Sequence, residues 1–371
     1  MSGAGVSDMS QLPFSVRRGT LVPATPYLSV CILVLRHSAL AVDCLDSLRR
    51  PGVLPPGTEL VVVANGTPVD QLDALTAHDD VVLVVNEVNL GFAGGSNQAA
   101  SVARAPLLLF LNDDSTVEKG CIDALVRVIS TDPAIGAVGA RIASGDGTLE
   151  EAGSVLWRDG WATHVGEGLG PDSRAFDEPR DVDFASANGL LVTRKAWDAV
   201  GGFDERFYPA YFEDVDLCLA LAARGFRVRY EPQARIVHRG SQSSTDVYRS
   251  FLLTRNQQKL VEKWGRSLGR FDPRPQKSAG PKFEAAVRKA AQRAGSGRTV
   301  VGAAAPAGTG AMPGGAGAPV ARDPVGAAEA IRAEYLSFLE GRVTWLETYL
   351  SGLWGVRFRR WAGAYLARWR R

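Results

Sequence analysis

The segment LSVCILVLRHSALAVDCLDSLRR, residues 28–50, decides the fold class of this chain. It begins with eight almost entirely apolar residues, the pattern of a strand buried on both faces. The amphipathic stretch that follows predicts a helix over residues 39–50. Two further apolar runs, ELVVVAN and VVLVVNE, repeat the strand pattern. Strands that alternate with helices predict parallel βαβ units, and hence an open, mostly parallel, twisted α/β sheet flanked by helices.

The run PLLLFLN predicts another buried strand, because it is too short for a buried helix. It ends in Asn112, Asp113 and Asp114. Ligands of open parallel sheets bind at the carboxyl ends of the strands, and carboxylates there can hold Mg²⁺ or Mn²⁺. An ordinary turn is the alternative, since Asp and Asn are common turn formers.

Composition and charge narrow the class of protein. The 371 residues are 46% apolar and 22% charged, which suits one large core with extensions, or two domains. The net charge of +2 gives no global sign of nucleic-acid binding. The four cysteines show no CxxC spacing, so we expect core residues in a reducing compartment. Without a secretory signal or a membrane-spanning run, we expect a cytoplasmic protein.

The glycine-rich stretch NLGFAGGSNQA, residues 89–99, follows a predicted strand. Gly91, Gly94 and Gly95 would let backbone approach a ligand closely, and a helix from about Ser96 to Ala103 would offer free N–H groups. The spacing is not that of a dinucleotide-binding fingerprint. A structural turn into the helix is the alternative.

The stretch GGFDERFYPAYFEDVDLC, residues 201–218, places aromatic residues before a helix that opens with Glu213 and Asp214. A carboxylate in an aromatic pocket can have a raised pKa and take a proton from an alcohol. The alternative is a capping cluster on an ordinary surface helix. His238 follows the strand-like FRVRYEP and could return to the same face of the sheet, although a lone histidine is often structural.

The remaining chain divides by composition. We expect an N-terminal extension at 1–27, the catalytic domain at 28–269, and a linker rich in Gly, Ala and Pro at 270–327 with one short helical patch. Residues 328–371 predict a helical tail with an aromatic face and many arginines, which suits a membrane interface. The alternatives are a helical hairpin packed on the catalytic domain or on a second copy of the chain.

Taken together, NLGFAGGSNQA, LFLNDDS and the segment from ANGLLVTRKAWDAV to ARIVHRG resemble the inverting family 2 glycosyltransferases of the GT-A fold, in particular the bacterial rhamnosyltransferase-like branch. The resemblance covers roughly Leu28 to Trp264, and the tail lies outside it. It implies a transferase that moves a sugar from a nucleotide-diphosphate sugar, such as dTDP-rhamnose or a UDP-sugar, to an acceptor hydroxyl. A glycan or lipid-linked acceptor in cell-envelope synthesis would place the protein at the inner face of the membrane.

The resemblance also implies roles for particular residues. The acidic motif of the family falls on Asn112, Asp113 and Asp114, which makes Asp114 the metal ligand and the other two donor contacts. The glutamate-aspartate pair falls on Glu213 and Asp214, with Asp214 as the general base. A histidine near the end of the domain falls on His238, as a second ligand of Mg²⁺ or Mn²⁺. The remaining donor-site positions fall on Asn89, Gly91, Asn97, Asn188 and Gly189.

Two departures from the family pattern concern recognition of the nucleotide base. Ala64 stands where members usually carry an Asp, and Arg36 and His37 replace a Tyr-Asn type pair. These departures motivate an alternative function, a catalytically inactive GT-A-like subunit that serves in binding or scaffolding. A nucleotidyltransferase would fit LNDDS, but it does not predict the segment from Gly201 to His238.

Overall fold

A computed structural model describes residues 14–35, 38–240, 245–295 and 324–353. The chain divides into two compact units. The larger unit comprises Met1–Ser244 and Leu252–Arg322, and the smaller comprises Thr245–Phe251 and Asp323–Arg371. Arg36, His37 and the tail beyond residue 353 lie outside the described residues, so the expectations for them stay predictions.

In the described part of the larger unit, eleven strands form one mixed sheet, and two more form a separate hairpin. The sheet has the strand order β1-β4-β3-β2-β5-β12-β7-β13-β11, with β6 paired to β13 and β8 paired to β7. The strands are β1 (Ser15–Arg18), β2 (Leu28–Val34), β3 (Thr58–Asn65), β4 (Val81–Asn86), β5 (Leu107–Asn112), β6 (Ser115–Val117), β7 (Ile135–Ser144), β8 (Leu149–Ala152), β9 (Ser154–Leu156), β10 (Ala162–His164), β11 (Arg180–Asp181), β12 (Leu190–Thr193) and β13 (Arg227–His238).

The predicted open α/β sheet is confirmed. Strands β4, β3, β2 and β5 are parallel neighbours, as are β7 and β13. Strand β12 lies antiparallel between β5 and β7, which joins the two parallel parts. Because β4, β3, β2 and β5 are parallel, their carboxyl ends lie along one edge of the sheet. Asn65, Asn86 and Asn112 are the last residues of β3, β4 and β5.

Helices cover both faces of the sheet. Side chains alternate along β2, so that Cys31 and Leu33 join the core beneath α3, whereas Val30 and Ile32 join the core beneath α1 and α4. The helices are α1 (Ser38–Arg49), α2 (Val69–Thr76), α3 (Gly91–Val102), α4 (Cys121–Ile129), α5 (Arg194–Val200), α6 (Glu213–Ala223), α7 (Asp246–Leu268), α8 (Pro281–Gly295) and α9 (Pro324–Leu353). The four cysteines are buried, as predicted.

Helix α3 begins at Gly91, five residues before the predicted start. The side chain of Asn89 accepts a hydrogen bond from the Gly91 N–H at 2.7 Å and so starts the helix early. Gly95 lies within the helix, where an added Cβ would clash with Leu33 of β2. The glycine-rich stretch is therefore a helix that packs closely on the sheet, and Ser96 does not offer a free helix N-terminus.

Two segments outside the predicted catalytic domain belong to the larger unit. Strand β1, in the predicted N-terminal extension, pairs antiparallel with β4. Helix α8, in the predicted linker, buries Val287 and Ala290, and Arg293 makes an ion pair with Asp183 at 2.7 Å. Helix α8 corresponds to the short helical patch that the sequence predicts within this segment.

The smaller unit contains the start of α7 and helix α9. Four aromatic rings, with centroids 4.9 to 6.3 Å apart, form its core: Tyr248, Phe251, Tyr335 and Phe338. Leu336 and Leu346 are exposed on α9. In the described ranges, no helix combines the length and apolar character needed to cross a bilayer.

Candidate active site

The acids at the end of β5 meet the end of β13. Strand β13 pairs with β6 so that His238 lies opposite Ser115, directly after Asp114. His238 Nε2 is 3.1 Å from Asp114 Oδ1 and 3.4 Å from Asn112 Nδ2. The structure therefore brings the predicted metal ligands, Asp114 and His238, to the same edge of the sheet.

The other ring nitrogen of His238 contacts Glu150 of β8, with Nδ1 2.9 Å from Oε2 and 3.1 Å from Oε1. Burial disfavours the imidazolium, but the bonds to Asp114 and Glu150 outweigh burial and raise the pKa of His238 to about 10. Metal-binding histidines in proteins commonly direct their second nitrogen to a carboxylate in this way. Glu150 thus orients the ring so that Nε2 faces Asp114.

Asp113 lies beside Asp114 at the same strand end. Burial, with a smaller contribution from the Asp114 charge, raises the pKa of Asp113 to about 7. A divalent cation or a phosphate-bound cation would relieve the repulsion between two such carboxylates.

The fit to a divalent cation rests on Asp114 and His238. Asp114 is buried, and its Oδ1 lies 3.1 Å from His238 Nε2. A search of the described ranges finds no cluster of three or more His, Cys, Asp or Glu side chains arranged to hold a metal. The residues fit a cation that takes two protein ligands and completes its shell with phosphate oxygens and water, as Mg²⁺ and Mn²⁺ commonly do.

Glu213 and Asp214 open helix α6 after a strained turn. Tyr211 and Phe212 have φ angles of 78° and 76°, a conformation that costs non-glycine residues on the order of 1–3 kcal/mol. Asn256 of α7 is fully buried, and its Nδ2 donates to the carbonyl oxygens of Tyr211, Ala210 and Phe207. This asparagine holds the turn, and the turn directs the two acids.

Both acids are held in surroundings that favour their neutral forms. Burial, reinforced by the Asp214 and Asp216 charges, raises the pKa of Glu213 well above its usual value. Burial also raises the pKa of Asp214, although the Val215 N–H donates to its Oδ1 at 2.8 Å and the His164 charge opposes the shift. A carboxylate with a raised pKa is a stronger base toward an alcohol.

Asp216 differs from its two neighbours because its charge is paired. Its Oδ2 lies 2.8 Å from Lys263 Nζ, and its Oδ1 accepts a 2.7 Å bond from the Trp264 indole. Asp216 therefore joins α6 to α7 and has a structural role.

The segment 186–188 contacts both Asp214 and the end of β5, which Asp113 and Asp114 follow. The Ala187 N–H donates to Asp214 Oδ2 at 3.4 Å. The side-chain oxygen of Asn188 accepts from the Asn112 N–H at 3.1 Å and from the Ser115 hydroxyl at 2.8 Å. Asp214 and the end of β5 are therefore tied to adjacent residues.

Two buried polar atoms in this region, Asn188 Nδ2 and Glu213 Oε2, have no hydrogen-bond partner among the described residues. Buried polar atoms in proteins are almost always bonded, so such exceptions call for an explanation. The Asn188 amide can therefore donate, and the Glu213 carboxyl can accept, a further hydrogen bond from a polar ligand.

The other predicted donor-site residues serve the protein's own packing. Asn97 is buried, and its amide exchanges two 2.9 Å hydrogen bonds with the backbone of Phe203. Gly91 has a φ of 73°, and a Cβ there would press on Tyr208 and Pro209. Gly189 has a φ of 90°, and a Cβ there would clash with Ile236. None of these contacts brings a side chain to the acids.

Glu150 and Asn256 are site residues that the sequence did not predict. Glu150 reaches His238 because β8 pairs with β7, and β7 pairs with β13. Asn256 lies more than 40 residues after the turn that it holds. Neither stands in a local motif, so only the pairing of distant segments could have revealed them.

Comparison with known proteins identifies similar sequences and a similar fold. The family model described as "Glycosyl transferase family 2" matches residues 29–187. The O-antigen biosynthesis protein RfbC of Myxococcus xanthus is 30% identical over 249 residues, which are 65% of this chain and 19% of that protein. The N-acetylglucosaminyl-diphospho-decaprenol L-rhamnosyltransferase of Mycobacterium tuberculosis is 30% identical over 207 residues, 48% of this chain and 64% of that enzyme.

A crystal structure of GalNAc-T7 with UDP, GalNAc and Mn²⁺ shares the fold, with a TM-score of 0.52 at 18% identity over 65% of this chain and 49% of that chain. This chain spans less than two thirds of the length of each of these proteins. Residues 29–187 form a glycosyltransferase family 2 domain, and the sheet has the GT-A architecture.

Proposed function

Starting from this family 2 glycosyltransferase domain, we propose that the chain moves a sugar from a nucleotide-diphosphate sugar to an acceptor hydroxyl with inversion at the anomeric carbon. The observation that carries the proposal is the segment 186–188, which binds Asp214 through Ala187 and the end of β5 through Asn188. Consecutive residues thus hold both the carboxylate proposed as the base and the strand end proposed to bind the diphosphate. A single displacement requires these two groups to keep fixed relative positions.

In this reaction Asp214 takes the proton of the acceptor hydroxyl. The acceptor oxygen forms a bond to the anomeric carbon from one face of the sugar, while the bond to the diphosphate oxygen breaks on the opposite face. The raised pKa of Asp214 supports its role as the base. Glu213 lies beside it, and its own raised pKa favours a neutral carboxyl next to the charged base.

Asp114 and His238 would hold a divalent cation, Mg²⁺ or Mn²⁺, and Glu150 would orient the histidine ring. A bound cation supplies positive charge that stabilises the departing diphosphate. Asp113 and Asn112 lie at the same strand end, where contacts to the donor sugar or ribose are expected. The unpartnered Nδ2 of buried Asn188 offers a hydrogen-bond donor to the same ligand.

The donor class is tested by calorimetric titration of UDP, dTDP and GDP, with and without Mn²⁺, against the wild-type chain and Asp114→Ala. The proposal expects metal-dependent binding of one nucleotide and its loss in the variant. An Asp43→Ala chain is a matched control, because Asp43 is a half-exposed acid of α1 that pairs with Arg239. Failure of all three nucleotides to bind would contradict a working donor site.

A second candidate function is an inactive subunit that binds or scaffolds other proteins. Ala64 favours it, since this residue is fully buried in the core and provides no polar group at the end of β3 for a nucleotide base. Asn65 does not replace that group, because its amide is bonded to Asn86, Asn89 and Gly91. Normal folding with no nucleotide binding in the titration would favour this function.

The acceptor follows from the relatives by analogy. One relative is named for O-antigen biosynthesis and another for rhamnosyl transfer to a decaprenol-linked sugar. A glycan or lipid-linked acceptor is therefore part of the proposal, with the tail after α9 as the contact to a membrane surface or to a second copy of the chain. The exposed Leu336 and Leu346 of α9 support a further contact of that kind.

A further inference from the structure

A second polar cluster lies beside the candidate active site, and its members are not among the groups assigned to the reaction above. Glu151, at the end of β8, accepts a 2.9 Å hydrogen bond from the hydroxyl of Ser154. His164 Nδ1 lies 2.9 Å from the Ser154 hydroxyl oxygen and 3.3 Å from Glu151 Oε2. Glu151 and Ser154 are almost completely buried, whereas the His164 side chain is 37% exposed.

Consecutive glutamates of β8 support different parts of the site. The register of β8 against β7 is irregular here, and the two side chains contact different segments of the chain. Glu150 contacts His238, one of the two candidate metal ligands. Glu151 Oε1 accepts a hydrogen bond from the Ser186 N–H at 3.2 Å. Strand β8 therefore contacts the candidate metal ligand His238 through Glu150 and the segment 186–188 through Glu151.

The bond to Ser186 connects the cluster to the base. The next N–H along the chain, that of Ala187, donates to Asp214. Glu151 thus fixes the backbone that contacts the carboxylate proposed to take the acceptor proton. Loss of that anchor would let the segment shift, and a misplacement of about 1 Å can cost an enzyme on the order of 100-fold in rate.

The same groups are linked by charge. Burial raises the pKa of Glu151, and the His164 charge opposes that shift. His164 also lowers the pKa of Asp214, against the larger effect of burial. Cys218 and Tyr230 also interact electrostatically with Glu151. His164 thus interacts with both a buried carboxylate and the proposed base.

The Ser-His-Glu combination does not suit a nucleophilic serine. Ser154 is fully buried, so no substrate reaches its hydroxyl. Its oxygen also bonds directly to Glu151, whereas a nucleophilic serine uses its histidine as the intermediary to the acid.

We propose that Glu151, Ser154 and His164 form a positioning cluster that holds the segment 186–188 and, through it, Asp214 in the geometry needed for sugar transfer. The inference rests on the proposed function, because it assigns the cluster a role in that reaction. His164 is the member that reaches the surface, on the hairpin β9–β10.

The test measures release of nucleoside diphosphate from UDP-glucose and dTDP-rhamnose, with water as the acceptor, across a range of pH. His164→Gln should move the acid limb of kcat/KM to higher pH by about half a pH unit or more, because loss of a nearby cation raises the pKa of a carboxylate. His78→Gln is the matched control, since His78 is another partly buried histidine outside this cluster, and it should leave the limb in place.

Glu151→Ala should lower kcat by about 10- to 100-fold with little change in the donor KM. Glu151→Gln should recover most of the rate, since its amide oxygen can still accept from Ser186 and Ser154. Glu59→Ala is the matched control, because Glu59 is also a buried glutamate that accepts from a serine hydroxyl and a backbone N–H. Equal rates for the Ala and Gln variants of Glu151 would overturn the inference.

Two further outcomes are decided separately. If the Glu151 variants fail to fold, the His164→Gln profile decides, and a profile identical to wild type overturns the inference. If the wild-type chain releases no nucleotide, the proposed function fails. Carbon-13 NMR titration of Asp214, assigned by Asp214→Asn, then tests the cluster alone. A higher Asp214 pKa in His164→Gln supports the link, and an unchanged pKa overturns it.

Discussion

The backbone N–H of Asn112 donates a hydrogen bond to the side-chain oxygen of Asn188 across 3.1 Å. The same oxygen accepts from Ser115, so one amide holds both sides of the strand end that carries the two acids. Asn188 itself is buried, and its neighbour Ala187 contacts Asp214. The relative position of the two halves of the site depends on this residue.

Asn188→Ala should therefore reduce both stability and turnover. The Asn112 N–H and the Ser115 hydroxyl would lose their acceptor, at a cost of about 1–3 kcal/mol, measured by denaturant unfolding. Turnover should fall more than about tenfold. Asn86→Ala is a matched control, because Asn86 is a buried asparagine that ends β4 and also makes two side-chain bonds. The Asn86→Ala control should lose stability but keep its turnover. If Asn188→Ala also keeps its turnover, Asn188 has no role in the site.

Glu213→Gln should stabilise the protein at neutral pH. The pKa of Glu213 is raised, so the folded state binds its proton more tightly than the unfolded chain. Stability is then lost as pH rises from the ordinary glutamate pKa of about 4.3 through the raised value. The variant avoids that loss and should melt about 2–4 °C higher, the shift that about 1 kcal/mol gives in a domain of this size. The gain should vanish below the ordinary pKa.

Asp216→Asn serves as the contrast on the same helix. It breaks a buried ion pair with Lys263, so the melting temperature should fall at neutral pH. An equal rise in both variants would show that the charge of Glu213 is not the cause.

Glu150→Gln should weaken the binding of Mn²⁺ by about 10- to 100-fold, because loss of the charge that orients His238 weakens the metal site. Calorimetric titration of Mn²⁺ in the presence of the nucleotide measures the effect. Glu118→Gln is a suitable control, because Glu118 is an exposed acid shortly after β6. Unchanged Mn²⁺ affinity would show that Glu150 does not support a metal ligand.

Truncation after Gly341 tests the proposed role of the tail. If the tail contacts a membrane, the full chain should float with anionic liposomes and the truncated chain should not. Size-exclusion chromatography of both forms tests the alternative of self-association. Flotation that persists without the tail would place the lipid contact elsewhere in the chain.

The sequence predicted the fold where signals were local and periodic. The strands from Leu28 to Asn112 are continuous apolar runs, and α5 and α6 end at Gly201 and near Gly225, where left-handed backbone favours glycine. The predicted meeting of Asp114 and His238 also holds, because both lie at strand ends.

The features that the sequence did not predict depend on contacts between distant segments of the chain. The register of β8 against β7 could not be known from the sequence, so Glu150 and Glu151 carried no signal. Asn97 matched a motif, yet its amide is bonded to Phe203 in the buried interior. A motif gives the position of a residue along the chain, but hydrogen bonds across the fold decide which atoms remain for a ligand.

The most direct test of the central claim is the turnover of Asp214→Asn. The change preserves the size of the side chain but removes the base, so sugar transfer or nucleotide release should fall by about 10²- to 10⁴-fold. Calorimetric binding of the nucleotide with Mn²⁺ should stay nearly the same, because Asp214 contacts Val215 and Ala187 on the α6 side of the site. Unchanged turnover in a correctly folded Asp214→Asn chain would contradict the account.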